Sequence, residues 1–326
     1  MPQNSIGYAV GRIRALETNA LDAARLDRLL AAPTYPEALR ALSEIGWTMT
    51  EGVDAESVAR ERVEKACALV RRITPAPEAT DCFLLRYDGL NLKSLLKARC
   101  LGQKPALLSA CGIFPVDDLA HAVTERQYKK LPAPLNDALH ALEKVLAVSD
   151  DALAIDLAVD QGIAALIQEK LTRVSDPAVR AYVAARADFT GALMLLRVRR
   201  MGREAAFLLK MLPPGGTIAE KAWLEAFDRP ELLSKLLAPY GGKVQKAAQQ
   251  AAQDADKLPA LEKAADDHLL KPFTDHRHDA LTLSPVIGHV LGAEREAAAV
   301  RLVLAGKANG FGAEAIRERL RDLYGA

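Results

Sequence analysis

The sequence predicts an all-α fold built from three similar helical modules, and three observations carry that expectation. Half of the 326 residues are hydrophobic but only 5% are aromatic. Alanine and leucine supply most of the apolar content, a bias that favours helix. No window alternates apolar and polar residues strongly enough to compete as a strand. Third, one stretch returns twice. The first copy runs LLRYDGLNLKSLLKARCLG to Gly102 and the second ADFTGALMLLRVRRMG to Gly202, at an offset of 100 with no gap. Asp88 falls on Asp188, the leucine pair 95 and 96 on 195 and 196, and Arg99 on Arg199. A weaker third copy, EREAAAVRLVLAGKANG, is offset by 208 and sets Glu296 on Asp88, Lys307 on Arg99 and Gly310 on Gly102.

An acid and a base eleven residues apart share nearly one helix face but are separated by roughly 16 Å, so they do not pair with each other. Leu92, Leu95 and Leu96 between them follow the i, i+3, i+4 rule of a buried stripe. The glycine is expected to end each helix in a left-handed cap, with the base favoured near the negative helix end. Acids repeated in equivalent positions mark a repeated fold more naturally than one active site, so Asp88, Asp188 and Glu296 are read as structural. One specific expectation is that the acid of one copy pairs with the base of the next, as Asp88 with Arg199.

The elements follow in order. Ile6, Val10, Ile13 and Leu16 predict a first helix over 6–16, and a second is expected over 21–30 before Pro33 and Pro36. PEALRALSEIGW places proline in the first turn of a third helix ending near Gly46, with Trp47 as a packing residue. A long amphipathic helix over 55–72 stops at Pro75 and Pro77, and with the first motif helix it is expected to form an antiparallel hairpin. The pattern restarts at 114–139 with two short helices and a proline-broken turn. A long helix over 151–173 and the second motif helix over 179–202 follow. The third round opens at PPGGTI with Thr217 as a helix cap, and continues with short helices around Trp223 and Leu236. AAQQAAQDADK at 247–257 reads as an exposed helical face or mobile linker. A long helix over 258–270, the third motif helix over 285–310 and a closing helix over 313–324 complete the modules 1–103, 104–203 and 204–326.

The 43 bases and 42 acids leave a net charge of +1, which gives no electrostatic case for nucleic acid. The four cysteines, Cys67, Cys82, Cys100 and Cys111, have no C-x-x-C spacing and read as reduced thiols in a cytosolic compartment. MPQNSIGYAVGRIRALE lacks the pattern of a secretory signal, and no apolar run is long enough to span a bilayer.

Catalytic signatures are not found. Gly242-Lys243 has Leu237 and Val244 where a phosphate-binding loop needs glycine and a hydroxyl. Asp117-Asp118 and Asp266-Asp267 lack the third acid of a magnesium-binding D-D-x-x-D and read as solvated charges on helix faces. His276 and His278, between Asp275 and Asp279, read as a polar loop rather than a metal site. No catalytic residue, cofactor or metal is assigned. The weight falls on a binding or assembly role, against a generic helical adaptor or scaffold and a helical metal-dependent enzyme as alternatives.

YAVGRIRALE, YDGLNLKSLLKARCLG, ADFTGALMLLRVRRMG with FLLKMLPPGGTI, and PVIGHVLGAEREAAAVRLVLAGKANGFGAEAIRERLRDLY together resemble the C subunit of the archaeal and bacterial V/A-type ATPases, the counterpart of the d subunit of the eukaryotic vacuolar enzyme. The likeness covers nearly the whole chain. It departs at Gly191, where the family often has asparagine, and at His289, where an aromatic residue is common. The resemblance implies a funnel of three modules about a pseudo-threefold axis, seated on the cytoplasmic face of a membrane rotor ring. Its implied partners are the ring and the D/F-type stalk subunits, with membrane attachment through protein contacts only. It implies a socket that transmits torque for proton or sodium transport and hydrolyses nothing itself.

Overall fold

The computed structural model describes residues 5–18, 20–47, 54–149 and 151–325, and among them every regular element is helical. In chain order the helices are α1 (Ile6–Glu17), α2 (Ala23–Ala31), α3 (Tyr35–Glu44), α4 (Ala55–Ile73), α5 (Pro77–Leu101), α6 (Val116–Thr124), α7 (Ala133–Leu146), α8 (Ala152–Leu171) and α9 (Pro177–Arg200). They continue as α10 (Ala205–Met211), α11 (Glu220–Asp228), α12 (Leu233–Leu236), α13 (Gly242–Gln253), α14 (Leu258–Asp275), α15 (Ser284–Ala308) and α16 (Ala313–Arg317). The chain divides into two compact units, one of Met1–Pro77 with Asp266–Ala326 and one of Glu78–Ala265.

The three motif helices are α5, α9 and α15, and each ends as its glycine dictates. Gly102, Gly202 and Gly310 take φ of 61°, 65° and 75°, a region that L side chains enter at a cost. In each, the N–H of the next residue reaches back to the carbonyl five before it: Gln103 to Ala98, Arg203 to Val198 and Phe311 to Gly306. This is the Schellman arrangement, which satisfies carbonyls the helix leaves open.

In the 78–265 unit, α5 buries Leu85, Leu92, Leu95 and Leu96 against residues of α6, α7 and α8, including Leu119, Leu135, Leu139 and Val159. Helix α8 lies most extensively along α7. Glycine at 162 allows that approach, because a Cβ there would meet Ala138 and Leu135 at 3.1 Å. Motif helix α5 packs on the long helix of the following module: Gly89 faces Ile163, and Lys93–Asp160 and Lys97–Asp156 pair at 2.6 Å. Arg197 of α9 likewise pairs with Glu262 of α14 at 2.7 Å.

In the other unit, α15 runs along α4, with α1 and α3 against it. Arg301 of α15 holds Glu56 of α4 through two bonds of 2.5 and 2.6 Å. The closing helix is shorter than expected. It stops at Arg317, although Leu320, Leu323 and Tyr324 are buried as its pattern required. Beyond it the backbone is tied elsewhere: Arg321 bonds Asp266 at 2.5 Å, the Asp322 N–H reaches Asp267 at 2.8 Å, and the Tyr324 carbonyl accepts from Arg277 at 3.3 Å. Helix α14 in turn runs past Leu270 to Asp275 with Pro272 inside it. The glutamine-rich stretch begins within α13, which buries Val244, Ala247, Ala248 and Ala251 and leaves Gln249 and Gln250 exposed.

Candidate functional site: acids and bases that grip short helices

Asp88 and Asp188 are 0% and 1% exposed, and Glu296 is 5% exposed. Burying carboxylates at this depth requires donors, and the donors prove to be mostly backbone. Asp88 accepts the N–H groups of Ile113 at 2.8 Å and Phe114 at 3.1 Å. Asp188 accepts those of Thr217 at 2.9 and 3.0 Å and Ile218 at 3.2 Å, with the Thr217 hydroxyl at 2.6 Å and the Tyr240 hydroxyl at 2.5 Å. Glu296 accepts the Leu21 N–H and, at 2.5 Å, the Arg62 guanidinium. In every case the gripped amides lie two or three residues ahead of a nine-residue helix: α6, α11 and α2 respectively.

The bases hold the other ends of those same helices. Arg99 donates to the Val123 carbonyl at 2.7 Å, Arg199 to the Phe227 carbonyl, and Lys307 to the Leu30 carbonyl at 2.7 Å. Each of these carbonyls belongs to the penultimate residue of its helix. The acid therefore meets amides at the positive end and the base meets carbonyls at the negative end, the polarity the helix dipole favours. The eleven-residue spacing now has a length to match. A nine-residue helix is about 13 Å long, and the residues ahead of it supply the rest of roughly 16 Å. The head-to-tail pair of Asp88 with Arg199 is not formed, since Arg199 is engaged with Phe227, whose ring it also covers at 5.5 Å.

Neighbouring groups differ between copies. Arg99 also bonds Glu143 at 2.8 Å, and Tyr128 donates its hydroxyl to the same carboxylate. Burial works against the Arg99 charge, but Glu143 and Tyr128 outweigh it and leave the guanidinium more basic than usual. Burial and Glu143 push the Tyr128 phenol up to about 12, and burial and Asp188 push Tyr240 up to about 12. Burial raises the Glu296 carboxyl against the opposing pull of Arg62 and the Leu21 amide.

The sequence did not single out two glycines on which the grips depend. A Cβ at Gly112 would run into the Asp88 carboxylate, and one at Gly216 into that of Asp188. Each stands just before the first gripped amide, and they are 104 residues apart. Both glycines lie four residues ahead of their helix, and the matching position before α2 is Asn19, which lies outside the described residues. Thr217 is corrected as a helix cap. Its hydroxyl goes to Asp188, while α11 starts from Ala219 with no side-chain cap. Gly191 takes the asparagine position because Trp223 lies over it, 2.8 Å from where a Cβ would be; Asn91 in the first copy bonds the N–H and carbonyl of Ser109, both at 2.8 Å.

The other candidates are placed apart from this machinery. Asp117 and Asp118 lie in the first turn of α6, and Asp266 is held by Arg295 and Arg321. His276 bonds Asp279 at 2.9 Å and His278 meets Arg14 at 3.1 Å. Among the described residues no three His, Cys, Asp or Glu side chains converge as a metal site, and none of the four cysteines is in a disulfide. Burial pushes the Cys82 thiol up to about 12, which makes it a poor nucleophile.

A family model described as ATP synthase (C/AC39) subunit matches residues 9–319. The C subunit of the V-type sodium ATPase of Enterococcus hirae is 24% identical over 276 residues, 83% of this chain and 83% of that one. The C subunit of the V-type ATP synthase of Deinococcus radiodurans is 26% identical over 245 residues, covering 65% of this chain and 64% of its own.

Proposed function

The chain belongs to the ATP synthase (C/AC39) subunit family, and from that premise we propose that it is a non-catalytic subunit of the central rotor of a V/A-type ATPase or ATP synthase. In this reading it sits on the cytoplasmic face of the membrane rotor ring, receives the foot of the D/F-type stalk and passes torque between them for proton or sodium transport. The observation that carries the proposal is the match over residues 9–319, because it spans all three motif helices together.

The grips support the mechanical part. A torque-bearing body must not shear between its elements. Tying both termini of a short helix to one long helix removes sliding along the axis, which apolar packing alone resists weakly because it is non-directional. The three modules 1–103, 104–203 and 204–326 belong to the same reading, arranged as a funnel about a pseudo-threefold axis. Each motif helix holds a nine-residue helix of another module: α5 holds α6, α9 holds α11 and α15 holds α2. Among the described residues no helix is long and apolar enough to cross a membrane.

Affinity-tagged protein should bring down stalk and ring subunits together from detergent-solubilised membranes, and its deletion should leave the ATP-hydrolysing head detached from them. Recovery of the chain as a free monomer from cells whose rotary ATPase is intact and working would refute the proposal.

A further inference from the structure

A cavity of about 550 Å³ opens among α1, α4 and α15, within the unit of Met1–Pro77 and Asp266–Ala326. Its throat is apolar, with Trp47, Val58 and Leu69 along the wall. Three polar atoms of lining residues have no hydrogen-bond partner among the described residues: Trp47 Nε1, Tyr324 Oη and Glu17 Oε1. Trp47 is 2% exposed and Tyr324 is 6% exposed, so bulk water does not satisfy them. Orphaned buried donors of this kind are rare in folded proteins and call for an explanation.

The charges around the cavity are unevenly matched. Arg62 stacks on the Trp47 ring at 4.8 Å and is neutralised by Glu296 at 2.5 Å. His289 stays neutral at physiological pH, its pKa drawn down to about 4 by burial and by Arg62. Arg12 and Arg72, by contrast, are exposed at the open side and enter no ion pair among the described residues. The site thus has two uncompensated guanidinium groups at its mouth, an apolar middle, and donors with one acceptor at its floor.

We propose that this cavity binds a small organic anion. Its acidic head is held by Arg12 and Arg72, its hydrocarbon or aromatic body lies along Trp47 and Leu69, and a far hydroxyl or amide meets the Trp47 N–H, the Tyr324 hydroxyl and Glu17. The volume falls within the roughly 300–1,000 Å³ of small-molecule pockets. Guanidinium is the group suited to carboxylate or sulfonate recognition, and an indole wall adds affinity for a flat body. Nothing in the proposal depends on the rotor reading.

The test uses the full chain carrying Trp223→Phe, which leaves Trp47 as its only tryptophan, and 8-anilino-1-naphthalenesulfonate as probe. Saturable one-to-one binding with probe emission excited through Trp47 is expected. The neutral N-phenyl-1-naphthylamine should bind at least tenfold more weakly. The double variant Arg12→Gln, Arg72→Gln should lose at least tenfold in affinity for the sulfonate while keeping its thermal midpoint, since both side chains are exposed. Ala68→Phe, an exposed change at the lining, should block the mouth. Non-saturable binding, equal affinity for the neutral probe, or an arginine-depleted variant that binds as the parent does would overturn the proposal.

Discussion

Asp188 and Arg199 hold opposite ends of one helix: the carboxylate receives the amides of Thr217 and Ile218 ahead of α11, and the guanidinium donates to the carbonyl of Phe227 at its far end. Although eleven residues apart on α9, the two act on a common object without touching. Their energies should be coupled through the rigidity of α11, and double-mutant cycles with Asp188→Asn and Arg199→Met should give an interaction of about 0.5 kcal/mol or more. The cycle pairing Asp88 with Arg199, whose targets are different helices, should be additive. A larger coupling in the second cycle than in the first would contradict the arrangement.

Removing a gripping carboxylate should be costly because the amides it satisfies stay buried. Asp88→Ala orphans the N–H groups of Ile113 and Phe114 and should reduce unfolding free energy by about 3 kcal/mol. Asp88→Asn retains an acceptor oxygen and should lose less. Hydrogen exchange gives the local readout: in Asp88→Asn the amides of 113 and 114 should exchange faster while those of 217 and 218 are unchanged. Uniform acceleration at all four would show a global effect in place of a grip.

The glycines beside the acids should resist the smallest enlargement. Gly112→Ala and Gly216→Ala each drive a methyl into a carboxylate, so both should destabilise by about 2 kcal/mol or more, in the range of overpacked cores. Gly102→Ala meets no neighbouring atom but must hold φ near 61°; its cost should be about 1–2 kcal/mol from the backbone alone. Urea unfolding of the three variants separates the two effects. An order with Gly102→Ala worst would count against the close approach.

His289 should make stability fall in acid. Its folded pKa of about 4 lies below the unfolded value of 6.5, so between these values the unfolded chain binds the extra proton. The contribution is complete above pH 6.5 and is lost as pH drops towards 4. Relative to His289→Phe, the parent protein should lose about 2 kcal/mol of stability between pH 7.5 and 5. Glu296, whose pKa is raised by burial, acts in the opposite direction near its own titration, but it is present in both proteins and largely cancels in the difference. Parallel stability curves for the two would rule out a buried neutral imidazole.

Local rules made much of the fold legible in the sequence. The three motif helices, their leucine stripes and their terminal glycines follow from spacing and from the left-handed cap that Gly102, Gly202 and Gly310 adopt. What the acids and bases hold was not legible, because their partners are backbone amides and carbonyls, which carry no side-chain signature. Gly112 and Gly216 offered a trace of it, being placed alike before the segments that Asp88 and Asp188 receive. The closing helix was overextended for a related reason. Leu320 and Leu323 are buried at the expected spacing, yet the bonds of Arg321 and Asp322 to α14 draw the backbone off the helical path, and no periodicity records such a tether.

Lys307 holds the carbonyl of Leu30 across 277 residues of sequence. During synthesis α2 therefore emerges with the anchor of its C-terminal end still unmade, and it waits until α15 has left the ribosome. The unit that contains it matures last although it begins first, so nascent chains truncated before α15 should carry an unsecured N-terminal segment open to proteases and chaperones.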